Sequence, residues 1–256
     1  MDAPTVENHL AGIDAAVDRM AVWSRAAGPE APVPTCPGWS VRDLLAHQGM
    51  VHRWATAVVR GEDPRGVDPS ALEAAGRAAV DPVGWLLDGA APLVAALAAA
   101  PDDLDVMTFL AQSPPARAFW ARRQCHETTV HALDALGARE ARTLTGADTW
   151  FDDRLASDGI DELLVGFWQR RTKGPRTEDP YTAVVSVSAG PAWSLALGPG
   201  APVTHRLTPR TGAPDHARTL TGSATDLYLA LWNRGGTVDD PTGLLDTWRE
   251  GGAITW

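Results

Sequence analysis

Cysteine and positive charge are both scarce in this 256-residue chain. Its two cysteines, Cys36 and Cys125, are too few for a disulfide-stabilised scaffold. The 32 acidic residues outnumber the 22 Lys and Arg, which gives a formal net charge of −10. Nucleic acids and anionic membranes bind basic surfaces. The composition therefore predicts a protein whose partners are neither nucleic acids nor membranes.

Targeting and membrane-spanning segments are also missing from the sequence pattern. Residues 1–7 contain neither the basic nor the apolar region of a secretory signal peptide. The apolar run of residues 89–100 is shorter than the roughly 20 residues that cross a bilayer. Hydrophobic residues make up 45% of the chain and charged residues 21%, which is typical of globular proteins. We expect a cytoplasmic globular protein, either a monomer or a homodimer.

Helical patterns fill the first half of the chain. Apolar residues recur every three or four positions over residues 5–25 and 40–60. Asp81-Pro82 and Pro115 are start signals for two further long helices, which are predicted to end near Ala100 and at Gly137. A weaker helix is predicted over residues 71–79. Four long helices joined by loops indicate a four-helix bundle, in which inward side chains of facing helices build the functional sites.

The second half changes to a mixed pattern. A helix is predicted within residues 151–171, and the apolar period then switches to two. Strands are predicted over residues 183–188 and 193–197, with two more over 203–207 and 217–220, and a final helix over 224–233. The predicted fold class is α+β, with a bundle domain of residues 1–148 and a smaller α/β domain of residues 149–256.

One short segment concentrates the side chains that bind metals. Cys125, His126, Glu127 and His131 lie within seven residues. His126 and His131 are five residues apart, about 140° around a helix, so they do not share a face as the two histidines of a zinc protease motif do. Glu127 and His131 are four residues apart and do share a face. This pair predicts two metal ligands, with a third from elsewhere in the chain.

His47 is our choice for the third ligand because it lies on the second predicted bundle helix. His52 is the second choice and could line the mouth of the same cavity, whereas His126 is expected in an outer layer or on the surface. Two histidines and a carboxylate leave open positions, as in catalytic metal sites. Zinc is the default ion, and iron, nickel or cobalt would accept the same ligands. A Glu–His pair at this spacing is also an ordinary feature of helix surfaces, so spacing leaves that alternative open.

Two segments resemble the motifs of the mycothiol-dependent maleylpyruvate isomerase family. The first runs from Cys36 to His47 and continues through residues 51–55, and the second covers residues 123–135. Residues 158–164 and 220–234 look like the C-terminal domain of the family, so the resemblance covers nearly the whole chain. It implies a DinB-like four-helix bundle that binds a divalent metal, followed by a domain similar to sterol carrier proteins.

The resemblance also implies site residues. The metal ligands of the family fall on His47, Glu127 and His131, the set chosen above. The isomerase of the family uses an arginine of its C-terminal domain, and Arg234 is the nearest match for this catalytic residue. The isomerase has Asn and Asp in the stretch that corresponds to residues 48–53, and this chain does not. The resemblance therefore does not identify the substrate.

Further residues are expected around the thiol cofactor and the substrate. His52, Arg53 and Arg123 are predicted to line the region that binds mycothiol. Arg53, Arg123 and Arg234 are also candidates for holding a substrate carboxylate, because the planar guanidinium group matches a carboxylate in shape. Any one of these arginines could instead form an ordinary ion pair.

The implied activity is that of a metal- and mycothiol-dependent enzyme. A thiol activated at the metal would serve either cis–trans isomerisation or thiol S-transfer to a small electrophile. Cys125 and His126 diverge on a helix because they are sequence neighbours, which argues against a Cys–His nucleophile. The remaining alternative is a non-enzymatic, metal-stabilised protein that binds small molecules.

Overall fold

The computed structural model describes residues 3–110, 112–170, 174–208 and 216–251, and these divide into two units. The helical unit comprises Thr5–Thr108 and Ser113–Arg142. The mixed unit contains the chain from Thr143 onward, together with Phe109–Gln112 and the residues before Thr5. The helical first part and the sheet-containing second part confirm the predicted α+β fold.

The helical unit contains the four long helices and the shorter one that periodicity and helix start signals predict. Their bounds are α1 Val6–Ala27, α2 Val41–Val59, α3 Pro69–Arg77, α4 Pro82–Ala99 and α5 Ala116–Glu140. Helix α5 packs mainly against α1 and also against α2, and α2 packs against α3 and α4. Since α5 is buried over most of its length, its polar side chains lie inside the protein.

Local signals begin these helices as expected. The Thr5 and Ser40 side chains cap α1 and α2, each in a reciprocal capping box. Asp81 accepts a hydrogen bond from the backbone N–H of Gly84 at the start of α4. The predicted end of α5 at Gly137 is wrong, because the helix continues to Glu140. A glycine within a helix costs only about 1 kcal/mol relative to alanine, so it does not by itself end a well-packed helix.

Among the described residues, α4 is the helix that is long and apolar enough to cross a membrane, as judged by length and composition alone. Its 18 residues have a mean hydropathy of 1.4. A core helix meets the same criteria, and α4 packs against α1 and α2. The helix is therefore weak evidence for a membrane segment.

The mixed unit is built on a four-stranded sheet of order β3-β2-β1-β4. The bounds of its elements are α6 Asp153–Asp161, β1 Tyr181–Val187, β2 Ala192–Leu197, β3 Val203–Leu207, β4 Arg218–Gly222, α7 Ala224–Leu231 and α8 Leu244–Gly251. Strand β1 pairs antiparallel with β2 and parallel with β4, and β2 pairs antiparallel with β3. The four predicted strands are confirmed.

Two features of the mixed unit differ from the prediction. Helix α6, which lies within the predicted range 151–171, continues as a π-helical segment, Glu162–Phe167, and residue 171 of that range lies outside the described residues. The 224–233 helix is not the last one, because α8 follows it. Leu244 and Trp248 of α8 are buried, and the Trp248 indole N–H donates to the Leu231 carbonyl at 2.9 Å. Their spacing of four residues is a helical signal that the sequence reasoning missed.

Candidate metal centre

Helices α2 and α5 bring three buried ligand groups together. Glu127 Oε1 lies 3.4 Å from His131 Nε2 and 3.9 Å from His47 Nε2. The ligand atoms of the three residues all lie within 4.8 Å of one another, and each residue is at most 5% exposed. Glu127 and His131 face the same way because they are one turn apart on α5. The three residues chosen from the sequence are thus adjacent in the structure.

Arg123 holds one oxygen of the Glu127 carboxylate. Its Nη2 donates to Glu127 Oε2 at 3.1 Å, and both side chains are 2% exposed. The other oxygen, Oε1, is buried and accepts no hydrogen bond from the described residues. Burial alone would raise the pKa of Glu127, but His131, His47 and Arg123 together hold this pKa well below its usual range. Glu127 is therefore a carboxylate with one oxygen available to a cation.

Asp134 orients His131 from the opposite side of the ring. The Nδ1 atom of His131 donates to Asp134 Oδ2 at 2.8 Å, so the Nε2 atom is the one that faces Glu127. Burial lowers the pKa of His131, but Asp134 and Glu127 outweigh that effect and raise it. Sequence reasoning assigned no role to Asp134. Its spacing of three residues from His131 was the available signal.

The donor set fits a divalent metal ion. When the His131 ring is neutral and Asp134 holds its proton on Nδ1, the Nε2 atom and Glu127 Oε1 are both acceptors, and they face each other across 3.4 Å. Two facing acceptors require a positive charge between them, which either a proton or a metal ion supplies. A histidine whose far nitrogen donates to a carboxylate is also the usual arrangement of a metal-bound histidine.

Trp39 forms an aromatic wall beside the two histidines. Its ring centroid lies 5.0 Å from that of His47 and 6.1 Å from that of His131, nearly parallel to the latter. Trp39 is half-buried and belongs to the loop that precedes α2. The wall reduces the access of water to one side of the candidate ligands.

His52 lies in a separate hydrogen-bond network between α2 and α5. Its Nε2 atom is 2.7 Å from Gln48 Nε2 and 2.9 Å from Thr128 Oγ1. Burial lowers the pKa of His52 from 6.5 to about 3, so the ring is neutral. The metal-capable groups formed by the described residues do not include His52.

His126 was expected either in an outer layer around the metal or on the surface. The surface placement is wrong, because His126 is fully buried. Its ring packs edge-on against that of His9 of α1, with the centroids 6.0 Å apart. This position follows from the burial of α5 on several sides, which the helical period alone did not show.

The two remaining predicted arginines use their guanidinium groups in local packing. Arg53 Nη1 donates to the Gly49 and Trp85 carbonyls at 2.8 and 3.0 Å, and its Cζ lies 3.6 Å from the Trp85 ring centroid. Arg234 follows α7 in the mixed unit, is 7% exposed, and donates from Nη1 to the Trp232 carbonyl at 2.6 Å. Roles for either residue in binding mycothiol or substrate stay predictions.

Comparison with known proteins gives matches over most of the chain. A family model described as the mycothiol maleylpyruvate isomerase N-terminal domain matches residues 9–136, and one described as the MDMPI C-terminal domain matches residues 154–251. The comparison with curated proteins gave no match.

Two solved structures resemble the whole chain. One is a crystal structure of a histidine-to-alanine mutant of the mycothiol-dependent maleylpyruvate isomerase, with a TM-score of 0.65 and 16% sequence identity over 95% of this chain and 97% of that chain. The other is a crystal structure of the mycothiol-dependent maleylpyruvate isomerase, with a TM-score of 0.62 and 15% identity over the same shares. At such identities the likeness shows a shared fold.

Proposed function

Because the chain belongs to the mycothiol-dependent maleylpyruvate isomerase family, we propose that it is a cytoplasmic enzyme that uses a divalent metal ion and mycothiol. Its proposed reaction is either cis–trans isomerisation of a small electrophile or transfer of the thiol to one. The observation that carries the proposal is the buried cluster of His47, Glu127 and His131, with their ligand atoms within 4.8 Å of one another.

The three residues would hold the metal ion through two imidazole nitrogens and one carboxylate oxygen. Such a set leaves positions open for a further ligand, as catalytic sites do. Zinc is the proposed ion, and nickel, iron or cobalt would accept the same donors. When bound, a divalent ion lowers the pKa of a coordinating thiol, so that the nucleophilic thiolate is present near neutral pH.

Residues around the cluster would prepare it for this task. Arg123 balances the charge of Glu127 and leaves one carboxylate oxygen available. Asp134 keeps the Nδ1 proton of His131 on the side away from Glu127. Trp39 shields the two histidine rings on one side. Together these residues keep three acceptors oriented toward one point before an ion binds.

The substrate decides between the two proposed reactions. A thiolate can add to an electron-poor double bond, and its departure after rotation about the resulting single bond leaves the other isomer. If the electrophile cannot expel the thiol, the product is a thioether. We propose Arg234 as the catalytic arginine that acts on a substrate carboxylate, on the basis of the family resemblance. We propose that His52, Arg53 and Arg123 lie near bound mycothiol.

Metal analysis combined with a thiol-dependence assay tests the proposal. The purified chain should contain about one divalent ion and should turn over maleylpyruvate or a generic electrophile only when mycothiol is supplied. Glu127→Gln and His131→Ala should lose the ion while their circular dichroism stays that of the folded protein. Glu140→Gln, at the end of the same helix, is the matched control and should retain the ion.

The outcomes separate the two classes of function. Retained metal stoichiometry in both Glu127→Gln and His131→Ala would contradict the proposed ligands. An intact metal content without thiol-dependent turnover of any electrophile would instead favour a non-enzymatic small-molecule-binding protein.

A further inference from the structure

We infer that Thr35 and Cys36, in the loop before α2, position the candidate metal ligand His131 by holding Asp134 in place. The inference rests on the proposed metal centre and goes beyond it, because it assigns a role to a loop that supplies no ligand. Thr35 and Cys36 lie 99 and 98 residues before Asp134 in the chain.

Hydrogen-bond donors contact both oxygen atoms of the Asp134 carboxylate. Its Oδ1 atom accepts from the Thr35 hydroxyl at 2.5 Å. Its Oδ2 atom accepts from the Cys36 thiol at 3.4 Å and from His131 Nδ1 at 2.8 Å. Asp134 is fully buried, so these donors replace the water that would otherwise solvate its charge. The Thr35 and Cys36 donors come from the loop, and they constrain how the carboxylate is turned.

The loop is itself ordered by its backbone. The N–H of Val33 donates to the Trp39 carbonyl at 2.9 Å, that of Cys36 to the Val33 carbonyl at 3.1 Å, and that of Trp39 to the Cys36 carbonyl at 3.0 Å. These bonds fix residues 33–39 in a closed turn. The same turn places the Trp39 ring against both histidines, so it contacts the candidate centre at two points.

Holding Asp134 also holds the His131 ring. If Asp134 could rotate, the Nδ1 proton would lose its fixed acceptor, and the ring could turn or carry its proton on Nε2. Either change would remove the Nε2 lone pair from its position 3.4 Å from Glu127 Oε1. Partners that orient a metal-bound histidine in this way change metal affinity by roughly 10–100-fold.

The alternative is a second metal site, because the donor atoms of Cys36, His131 and Asp134 also lie within 4.8 Å of one another. Such a site would need the proton of His131 Nδ1 to leave, although that proton makes the 2.8 Å bond to Asp134. An ion at this site would also have to bind Asp134 oxygen atoms that already accept hydrogen bonds from Thr35 and Cys36. The arrangement of donors therefore favours positioning over a second ion.

A double-mutant cycle on the full chain tests the positioning role. Zinc affinity is measured by competition with a chromogenic chelator, and the d–d absorption of the cobalt-loaded protein reports the ligand geometry. Thr35→Val should weaken zinc binding about 10-fold and Asp134→Asn about 10–100-fold, and both should shift the cobalt bands. In the Asp134→Asn background, Thr35→Val should have little further effect, because both substitutions act through one carboxylate.

Two controls keep the result specific. Thr129→Val removes a different buried hydroxyl, which lies on α5, and Cys125→Ala removes the thiol of the other cysteine. Both variants should bind zinc as the wild type does. Thr35→Val changes only a loop residue, so it tests the inference even if Asp134→Asn does not fold.

Each failure has its own signature. Additive effects of Thr35→Val and Asp134→Asn, or unchanged affinity and cobalt spectra in folded Thr35→Val, would overturn the positioning role. The positioning role would also be overturned if the protein bound a second equivalent of metal and showed a thiolate-to-cobalt charge-transfer band that Cys36→Ala abolishes. Absence of any divalent ion from the wild type would overturn the proposed metal centre itself. An ion that Glu127→Gln removes, but that neither Thr35→Val nor Asp134→Asn affects, would overturn the positioning role alone.

Discussion

Buried charged and polar residues around the candidate metal centre each depend on a specific partner. Glu127 relies on Arg123, and His131 relies on Asp134. His52 is instead buried in its neutral form beside Gln48 and Thr128. Substituting these residues should therefore change the stability of the protein in different ways.

His52 should make the protein less stable in acid. Its pKa is about 3 in the folded chain, against 6.5 for the ordinary side chain. Below pH 6.5 the unfolded chain binds a proton that the folded chain does not. Stability is therefore full above the ordinary pKa and falls by up to about 1.4 kcal/mol per pH unit as the pH decreases towards the folded-state pKa.

Urea denaturation at a series of pH values should give His52→Gln a shallower acid slope than the wild type. His205→Gln, at an exposed position on β3, should keep the wild-type slope, and equal slopes for all three proteins would contradict the prediction.

Arg123→Met should destabilise the metal-free protein by about 3–5 kcal/mol, because it leaves the buried Glu127 carboxylate without its cationic partner. The cost should be smaller with zinc bound, since the ion then balances the same charge. Denaturation with and without zinc measures both values. Arg139→Met removes an arginine from the half-exposed end of α5 and should change stability by less than about 0.5 kcal/mol. An equal loss with and without zinc would be inconsistent with Glu127 binding the ion.

At the scale of elements, α3 contacts α2 and α4 where a glycine leaves room for a tryptophan. A Cβ atom at Gly76 of α3 would lie 2.6 Å from Trp85 Nε1 and 2.8 Å from Ala46 Cα. Ala46 Cα belongs to the backbone of α2 and cannot turn aside as a side chain can. The Trp85 indole N–H also donates to the Ala46 carbonyl at 3.3 Å, so the three helices meet at this point.

A pair of glycine substitutions separates packing from helix propensity. Gly76→Ala should destabilise the protein by about 1–3 kcal/mol, since overpacking outweighs the higher helix propensity of alanine. Gly137→Ala should stabilise it by about 0.5–1 kcal/mol, because nothing lies within 4 Å of an added Cβ there. Thermal denaturation of both variants gives the comparison. Stabilisation by Gly76→Ala would show that α3 can shift away from α2.

At the scale of the whole molecule, metal binding should stabilise one unit and not the other. The candidate ligands all belong to the helical unit. An ion that binds only the folded state, at about 100 times its dissociation constant, adds about 2.7 kcal/mol. Added zinc should therefore slow amide hydrogen exchange in α2, α5 and residues 33–40. The strands β1–β4 serve as the internal control, and Glu127→Gln should abolish the effect. Equal protection of both units would contradict binding at this cluster.

Patterns confined to a few neighbouring residues determine much of this protein. Two of the long helices, the four strands and the shared face of Glu127 and His131 follow from periods of 3.6 and 2, and the other two long helices follow from local start signals. Thr5 and Ser40 begin helices by local hydrogen bonds. The principle that facing helices of a bundle share a site leads to the second bundle helix, and the family resemblance falls on His47 there. The motif resemblance then identifies the family, which the family models confirm.

Only the tertiary structure decided what lies around those residues. The Thr35 and Cys36 bonds to Asp134 join positions nearly a hundred residues apart, and no local period relates them. The same holds for Trp39 against the histidine rings and for His126 beside His9. Burial and long-range hydrogen bonds depend on how helices pack, whereas a helix face depends only on spacing. The sequence therefore determined the candidate ligands, and the packing of α5 with α2 and its preceding loop determined what orients them.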